Sequence, residues 1–301
     1  YQTNQIQSSF TENDDDYTFL VVGDWGRNGH FAQRSVAKWM DIAAYQFDAE
    51  MIISTGDNFY DNGIASVNDP YWQTSYENIY HGPHLFIDWY VVLGNHDYRG
   101  NWQAQIDYSA ISRRWNMPAQ YFDKLISLEE GGSVHLVFLD TSPLNPDYQH
   151  EAKYQETQRQ DSKAQLAWFE QTLKRHKNAD WTIVIGHHPL YSSGKRYGKT
   201  SAVRGVIEPL LEQYDVDAYI AGHEHDLQHN KPAGSSVEHF VSGGGSEIRP
   251  VGQREFTAFA KSSAGFAVVR VNQQQFTLEF IDDKGEVIYQ YALDKNRESA
   301  Q

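Results

Sequence analysis

Five times in this chain a short β-forming run ends on a glycine and is followed at once by side chains that can hold a cation. The runs span 17–22, 51–54, 90–93, 181–185 and 218–221. The blocks after them are Gly23-Asp24-Trp25-Gly26, Gly56-Asp57-Asn58-Phe59-Tyr60, Gly94-Asn95-His96-Asp97, Gly186-His187-His188-Pro189 and Gly222-His223-Glu224-His225. Between the first two, residues 34–47 read as a helix with Val36, Trp39, Met40, Ala43 and Ala44 near one face. Alternating strands and helices define an α/β fold. Its loops leave the carboxyl ends of rigid strands and converge on one rim, where ligands bind. A glycine there lets the backbone turn sharply, so that the next side chain projects into the site.

Further strands are expected at 134–140, 236–241, 264–271, 275–281 and 287–291. The last three read as an antiparallel meander belonging to a second sheet packed on the first. With 301 residues, 40% of them apolar, and no Pro/Gly-rich linker, the chain is expected to form one catalytic domain over 17–301. The polar stretch 1–16, closing on Asn13-Asp14-Asp15-Asp16, reads as a loose, flexible tail. The chain starts at Tyr1 rather than Met, which fits a processed or trimmed protein. No apolar run approaches the roughly 20 residues of a bilayer span.

Cysteine is absent, so thiolate sites, thiol nucleophiles and disulfides are excluded. Carboxylate, carbonyl, phenolate and imidazole must do any ligating. The lack of any Asn-x-Ser/Thr acceptor favours a bacterial exported protein, secreted or periplasmic. A net charge of −15 argues against a nucleic-acid-coating surface. The five blocks supply two aspartates, a tyrosine, an asparagine and three histidines, a set sized for two metal ions sharing a carboxylate. That chemistry points to metal-assisted hydrolysis of phosphate esters.

The order and spacing of the blocks, with Gly63 after the second, Tyr98 after the third and Leu227-Gln228 after the His-x-His, resemble the purple acid phosphatases. The likeness is to their small, mammalian-type branch within the calcineurin-like metallophosphoesterases, and it covers about 17–291. The resemblance implies a four-layer sandwich of two mixed β-sheets flanked by helices. It implies a first site of Asp24, Asp57, Tyr60 and His225 and a second of Asp57, Asn95, His187 and His223, with Asp57 bridging ions about 3.5–4 Å apart. Fe(III) is implied in the first site and Fe(II), Zn(II) or Mn(II) in the second. The implied reaction is acid hydrolysis of small phosphomonoesters by a metal-coordinated hydroxide attacking phosphorus in line.

Tyr60 is informative because many relatives begin with Asp-x-His, whereas here Gly26 stands at the histidine position. A phenolate three residues after Asp57 resembles the replacement ligand and suits a ferric ion. His96 resembles the family residue that contacts substrate phosphate and assists proton transfer, with Asp97 orienting it. Where the small branch carries a histidine nine residues after the His187-type ligand, this chain has Arg196, so that residue's role as leaving-group acid does not carry over. Arg196 can bind phosphate or be a solvated charge.

His188 is expected at the rim, and His81, His84, His135, His229 and His239 in packing or surface roles. Gly243-Gly244-Gly245 reads as a tight loop beside the metals rather than a nucleotide cradle. A phosphodiesterase or nucleotide hydrolase on the same metals, or an inactive metal- or phosphate-binding scaffold, are the rival readings. Residues 145–160 lack helical or strand periodicity and resemble the protease-sensitive loop of the small branch. A mobile surface loop or a lid, with Lys153 and Arg159 as trypsin sites, is expected there.

Overall fold

Strand β1 (Tyr17–Val22) sends Phe19 and Val21 to one side and Leu20 and Val22 to the other, and all four are fully buried. A strand covered on both faces belongs inside a layered α/β structure. In the computed structural model, which describes residues 5–10, 13 and 15–295, this layering extends throughout. The elements after β1 are α1 (Gln33–Gln46), β2 (Met51–Ser54), β3 (Asp88–Val91), α2 (Gln103–Asp107), β4 (Trp115–Asn116), β5 (Phe122–Ser127) and β6 (Ser133–Phe138). They continue with α3 (Ser162–Arg175), β7 (Trp181–Ile185), α4 (Ser201–Gln213), β8 (Ala218–Ala221), β9 (Leu227–Asn230) and β10 (Glu238–Ser242). β11 (Thr257–Lys261), β12 (Gly265–Val271), β13 (Gln275–Asp282) and β14 (Val287–Asp294) complete the fold.

Two mixed seven-stranded sheets result, ordered β14-β13-β12-β1-β2-β3-β4 and β11-β9-β10-β8-β7-β6-β5. Phe19, Val21, Ile53, Ile183, Ile185, Ile220 and Leu278 meet between the sheets. On the outer face of the first sheet, Val36, Met40 and Ala43 of α1 cover Leu20, Val22 and Ile52. On the outer face of the second, Phe169 and Leu173 of α3 and Ile207 and Leu211 of α4 cover Val137 and Val184. This is the expected four-layer α/β sandwich. Among the described residues no helix is long and apolar enough to cross a membrane.

Three expectations need correction. The terminal meander belongs to the first sheet: β12 pairs antiparallel with β1, opposite the edge of β1 that takes β2. All seven residues of β12 are buried, which requires cover on both faces; β5 to β11 build the second sheet instead. The stretch before β1 is tied down where it is described. Ile6 is 2% exposed, its backbone N–H and C=O bond the side chain of Gln46 at 2.9 and 2.8 Å, and Ser8 donates to Glu279 at 2.8 Å. Residues 145–160 form two short 3₁₀ segments, Pro146–His150 and Ala152–Arg159, anchored by the buried rings of Tyr148 and Tyr154.

Candidate metal centre

The parallel strands β1, β2, β3, β7 and β8 end on one rim and there deliver Asp24, Asp57, Asn95, His187, and the pair His223 and His225. Gly56 takes a left-handed φ of 92°. At Gly94 the reason for glycine is proximity, because a Cβ would stand 2.2 Å from Asp57 Oδ1. Much of the turning is done by the ligands themselves. Asp24, Asp57, His223 and His225 have φ of 60°, 51°, 70° and 41°, a left-handed region uncommon for non-glycine residues, which Asp and His enter more readily than most.

All seven expected ligands are buried, and their donor atoms gather in two groups that share Asp57. In the first, Tyr60 Oη lies 2.8 Å from Asp24 Oδ1, 2.8 Å from Asp57 Oδ2 and 3.0 Å from His225 Nε2. His225 Nε2 is also 3.3 Å from Asp24 Oδ1. In the second, His187 Nε2 lies 3.2 Å from Asn95 Oδ1, 3.0 Å from His223 Nδ1 and 3.5 Å from Asp57 Oδ1.

This donor set fits metal ions. The single phenol proton of Tyr60 cannot serve Asp24, Asp57 and His225 together. In the second group, His187 Nδ1 is 2.9 Å from the Thr55 carbonyl, which only accepts, so the ring proton sits there and Nε2 turns its lone pair inward. Asn95 spends its Nδ2 on Tyr154 Oη at 2.8 Å, which aims Oδ1 inward. His187 Nε2 thus faces two further acceptors, Asn95 Oδ1 and Asp57 Oδ1, an arrangement that repels unless a cation joins them. Ligand bonds of about 2.0–2.2 Å put neighbouring donors about 2.8–3.6 Å apart, which covers the separations above.

The electrostatics agree. Burial, Asp24 and Asp57 push the Tyr60 phenol well above its ordinary pKa. Burial alone would raise Asp57, but His187, His96 and the Tyr60 hydrogen bond hold it below the usual carboxylate range. Burial and the adjacent His188 and His187 push His223 well down, so its ring is neutral. Above the donors lies a cavity of about 340 Å³ lined by five cationic side chains, Arg99, Lys153, Arg196, Lys199 and Arg249, against Asp147 and Glu151. An anionic ester is attracted there despite the acidic surface overall.

His96 borders this cavity. Its backbone N–H donates to Asp57 Oδ1 at 2.8 Å, and its ring Nδ1 donates to the Asp61 carbonyl at 2.7 Å. Asp97, expected to orient His96, makes different bonds. Its carboxylate accepts from Gly94 N at 2.7 Å, Gln105 Nε2 at 2.8 Å, Asn58 N at 3.1 Å and Phe59 N at 3.2 Å, clamping the Asp57 loop to the Asn95 loop. His188 uses both nitrogens, on Thr141 Oγ1 at 2.8 Å and Tyr148 Oη at 2.7 Å, and lines the cavity beside the second group. Arg196 Nε donates to His223 Nε2 at 2.8 Å.

Thr55, Arg99, Tyr148, Tyr154 and Arg249 also build this site and were not expected. Two aromatic residues six apart in an otherwise polar stretch were the available signal for Tyr148 and Tyr154. Thr55, Arg99 and Arg249 carry no such signal.

Strand-end ligands on two mixed sheets, converging on a shared aspartate, define a two-metal phosphoesterase. The chain belongs to the calcineurin-like phosphoesterase family, which it matches over residues 17–227. Within that family it is similar to purple acid phosphatases. It is 35% identical over 294 residues to purple acid phosphatase 3 of Arabidopsis thaliana, covering 93% of this chain and 78% of that one. It is 32% identical over 295 residues to tartrate-resistant acid phosphatase type 5 of Homo sapiens, covering 91% and 90%. Among solved structures, GAP50, the anchor in the inner membrane complex of Plasmodium, matches with a TM-score of 0.82 at 26% identity over 94% of this chain and 90% of that one. The fold, the donor groups and these relatives together make the chain a binuclear metal-dependent acid phosphatase.

Proposed function

We propose that Asp24, Asp57, Tyr60 and His225 hold Fe(III), that Asp57, Asn95, His187 and His223 hold Fe(II), Zn(II) or Mn(II), and that small phosphomonoesters are hydrolysed at acidic to neutral pH. The observation that carries this reading is Tyr60 Oη, 2.8 to 3.0 Å from three other donor atoms in a set with no second neutral hydroxyl. A hard phenolate favours a trivalent ion. When bound, the ions supply charge neutralisation for the phosphate and activation of water.

The protein's own groups do the rest. Arg196 and Arg249 meet phosphate oxygens entering the cavity. His96 donates Nδ1–H to the Asp61 carbonyl and borders the cavity; burial lowers its pKa, so it is on the acidic side of the working range that its Nε2 takes up a proton and can pass it to the leaving group. The ladder of N–H donors around Asp97 keeps the two ligand loops in register. The segment 145–160 covers the second site through Tyr154. This reading includes a single catalytic domain from residue 17 onward and, from the missing Asn-x-Ser/Thr acceptors, a bacterial exported protein.

The test is metal analysis with a visible spectrum of the purified protein. A violet to pink protein with one iron that resists reduction is expected, and Tyr60→Phe should bleach the band at unchanged metal content. A coloured Tyr60→Phe protein with an unshifted band refutes the ligand assignment. Turnover of a phosphomonoester should exceed that of a diester; the reverse would assign a phosphodiesterase.

A further inference from the structure

We propose that Asp123, His135 and His176 form a third divalent-metal site, of the zinc class, that fastens the β5–β6 hairpin to the end of α3. Leu125 of β5 pairs with His135 of β6, so Asp123 lies one diagonal step from His135 on the same face. His176 follows the last residue of α3 and turns its ring back over that face, 4.5 Å from the ring of His135. Asp123 Oδ2 is 3.1 Å from His135 Nε2 and 3.5 Å from His176 Nε2, and one ligand atom from each residue lies within 4.8 Å of the others.

Those separations bracket the distance of about 3.3 Å between donors on a tetrahedral ion with 2.0–2.1 Å bonds. Two imidazoles and one carboxylate suit Zn(II), Co(II) or Ni(II), and not the all-oxygen preference of Ca(II) or Mg(II). Burial permits entry. His135 is fully buried, while the Asp123 and His176 side chains are 20% and 23% exposed, leaving a face open to solvent that can complete the coordination.

The cluster is separate from the catalytic centre. His135 pairs with Thr182 of the parallel strand β7, five residues before His187, a span of about 16 Å at 3.3 Å per residue. One feature competes with an ion: Arg175 adjoins His176 and opposes a cation. His135 Nδ1 is buried with no hydrogen-bond partner among the described residues whether or not an ion is bound, and so favours neither state. Asp123 Oδ2 is the oxygen that approaches both rings, which is where one ion held by the two imidazoles would take its carboxylate ligand.

The experiment is equilibrium dialysis of the metal-replete protein against zinc sulfate, with metal counted per chain, for wild type, His176→Ala and Asp123→Asn. At the free zinc concentration that half-fills the extra site, wild type is expected to carry about half an additional zinc per chain and the variants, binding about tenfold or more weakly, about a tenth or less. Zinc should raise the melting temperature of wild type and leave that of the variants unmoved, while kcat stays the same in all three. Asp123→Asn preserves shape and keeps the test informative if His176→Ala misfolds. Equal zinc uptake by wild type and Asp123→Asn overturns the proposal and leaves the phosphatase reading untouched.

Discussion

Replacing Asp97 with asparagine separates two roles that adjacency in the sequence runs together. If Asp97 orients His96, the variant loses turnover and keeps its fold and metals. If it clamps the two ligand loops, it loses stability and metals first. Its oxygens accept from Gly94 N, Gln105 Nε2, Phe59 N and the backbone of Asn58, all at 3.2 Å or less and all buried. Burial and Asp57 push the Asp97 carboxyl up to about 7, so above that pH each bond goes to a charged acceptor and contributes about 1.5–3 kcal/mol, and a buried donor left unmatched costs about 1–3 kcal/mol. Asparagine keeps one acceptor oxygen and turns an NH₂ towards the donors of the other. A loss of about 4 kcal/mol follows, allowing for partial relaxation. With an unfolding entropy of about 2.1 cal/mol/K per residue, that lowers Tm by about 6 °C for a chain of this length. Calorimetry on metal-free protein removes the ligand contribution to Tm, and metal content is measured on the reconstituted sample. His96→Ala, in contrast, should lower kcat by about 10²–10⁴-fold with both metals retained. An Asp97→Asn protein with wild-type Tm and full metal content but reduced kcat would refute the clamp.

Trypsin offers a test of the 145–160 segment, since Lys153 and Arg159 are 52% and 68% exposed while Tyr154 holds Asn95 beneath them. Cleavage should raise kcat with the fragments still associated, and clean cleavage with unchanged kinetics would reject a lid. Arg196→Ala should raise KM for phosphomonoesters several-fold and tighten the second metal, because a ring accepting from Arg196 at Nε2 carries its proton on Nδ1, the atom that faces the ion; unchanged metal affinity counts against that linkage. Glu238 joins the sheets through His229 at 2.7 Å and Tyr291 at 2.7 Å, with Lys231 alongside, and although burial alone would raise its pKa these partners hold it below the ordinary 4.5. A depressed carboxyl stabilises above its unfolded pKa and loses that contribution as pH falls through its folded value, so Glu238→Gln should cost about 3 kcal/mol near neutrality and progressively less below pH about 4.5 in urea titrations; a difference constant with pH would exclude the mechanism.

The strand-end blocks could be read from the sequence because each joins a buried β-run to a polar residue after glycine, and β1, β2, β7 and β8 begin and end where that pattern places them. Pairing partners could not be read, since an apolar run records burial but not the neighbour, and the meander accordingly joined the other sheet. Asp97 misled for a related reason. Residues adjacent on a helical turn do not face each other, so proximity to His96 in sequence places its carboxylate elsewhere. Asp123, His135 and His176 form no local motif at all and meet only because a hairpin and a helix end share one face.

The glycines had a further meaning that composition conceals. A left-handed backbone at Asp24, Asp57, His223 and His225 costs on the order of 1–3 kcal/mol per residue, yet at these turns the left-handed conformation falls on the residue that must point inward. The preceding glycine makes room: without a Cβ at Gly94 the Asn95 loop closes against Asp57, and without one at Gly222 the His223 turn closes against Asp24 Oδ2. Packing the loops this tightly gathers donors from five strand ends into two groups whose neighbouring atoms lie 2.8 to 3.5 Å apart, and the backbone strain is the structural consequence of holding them there.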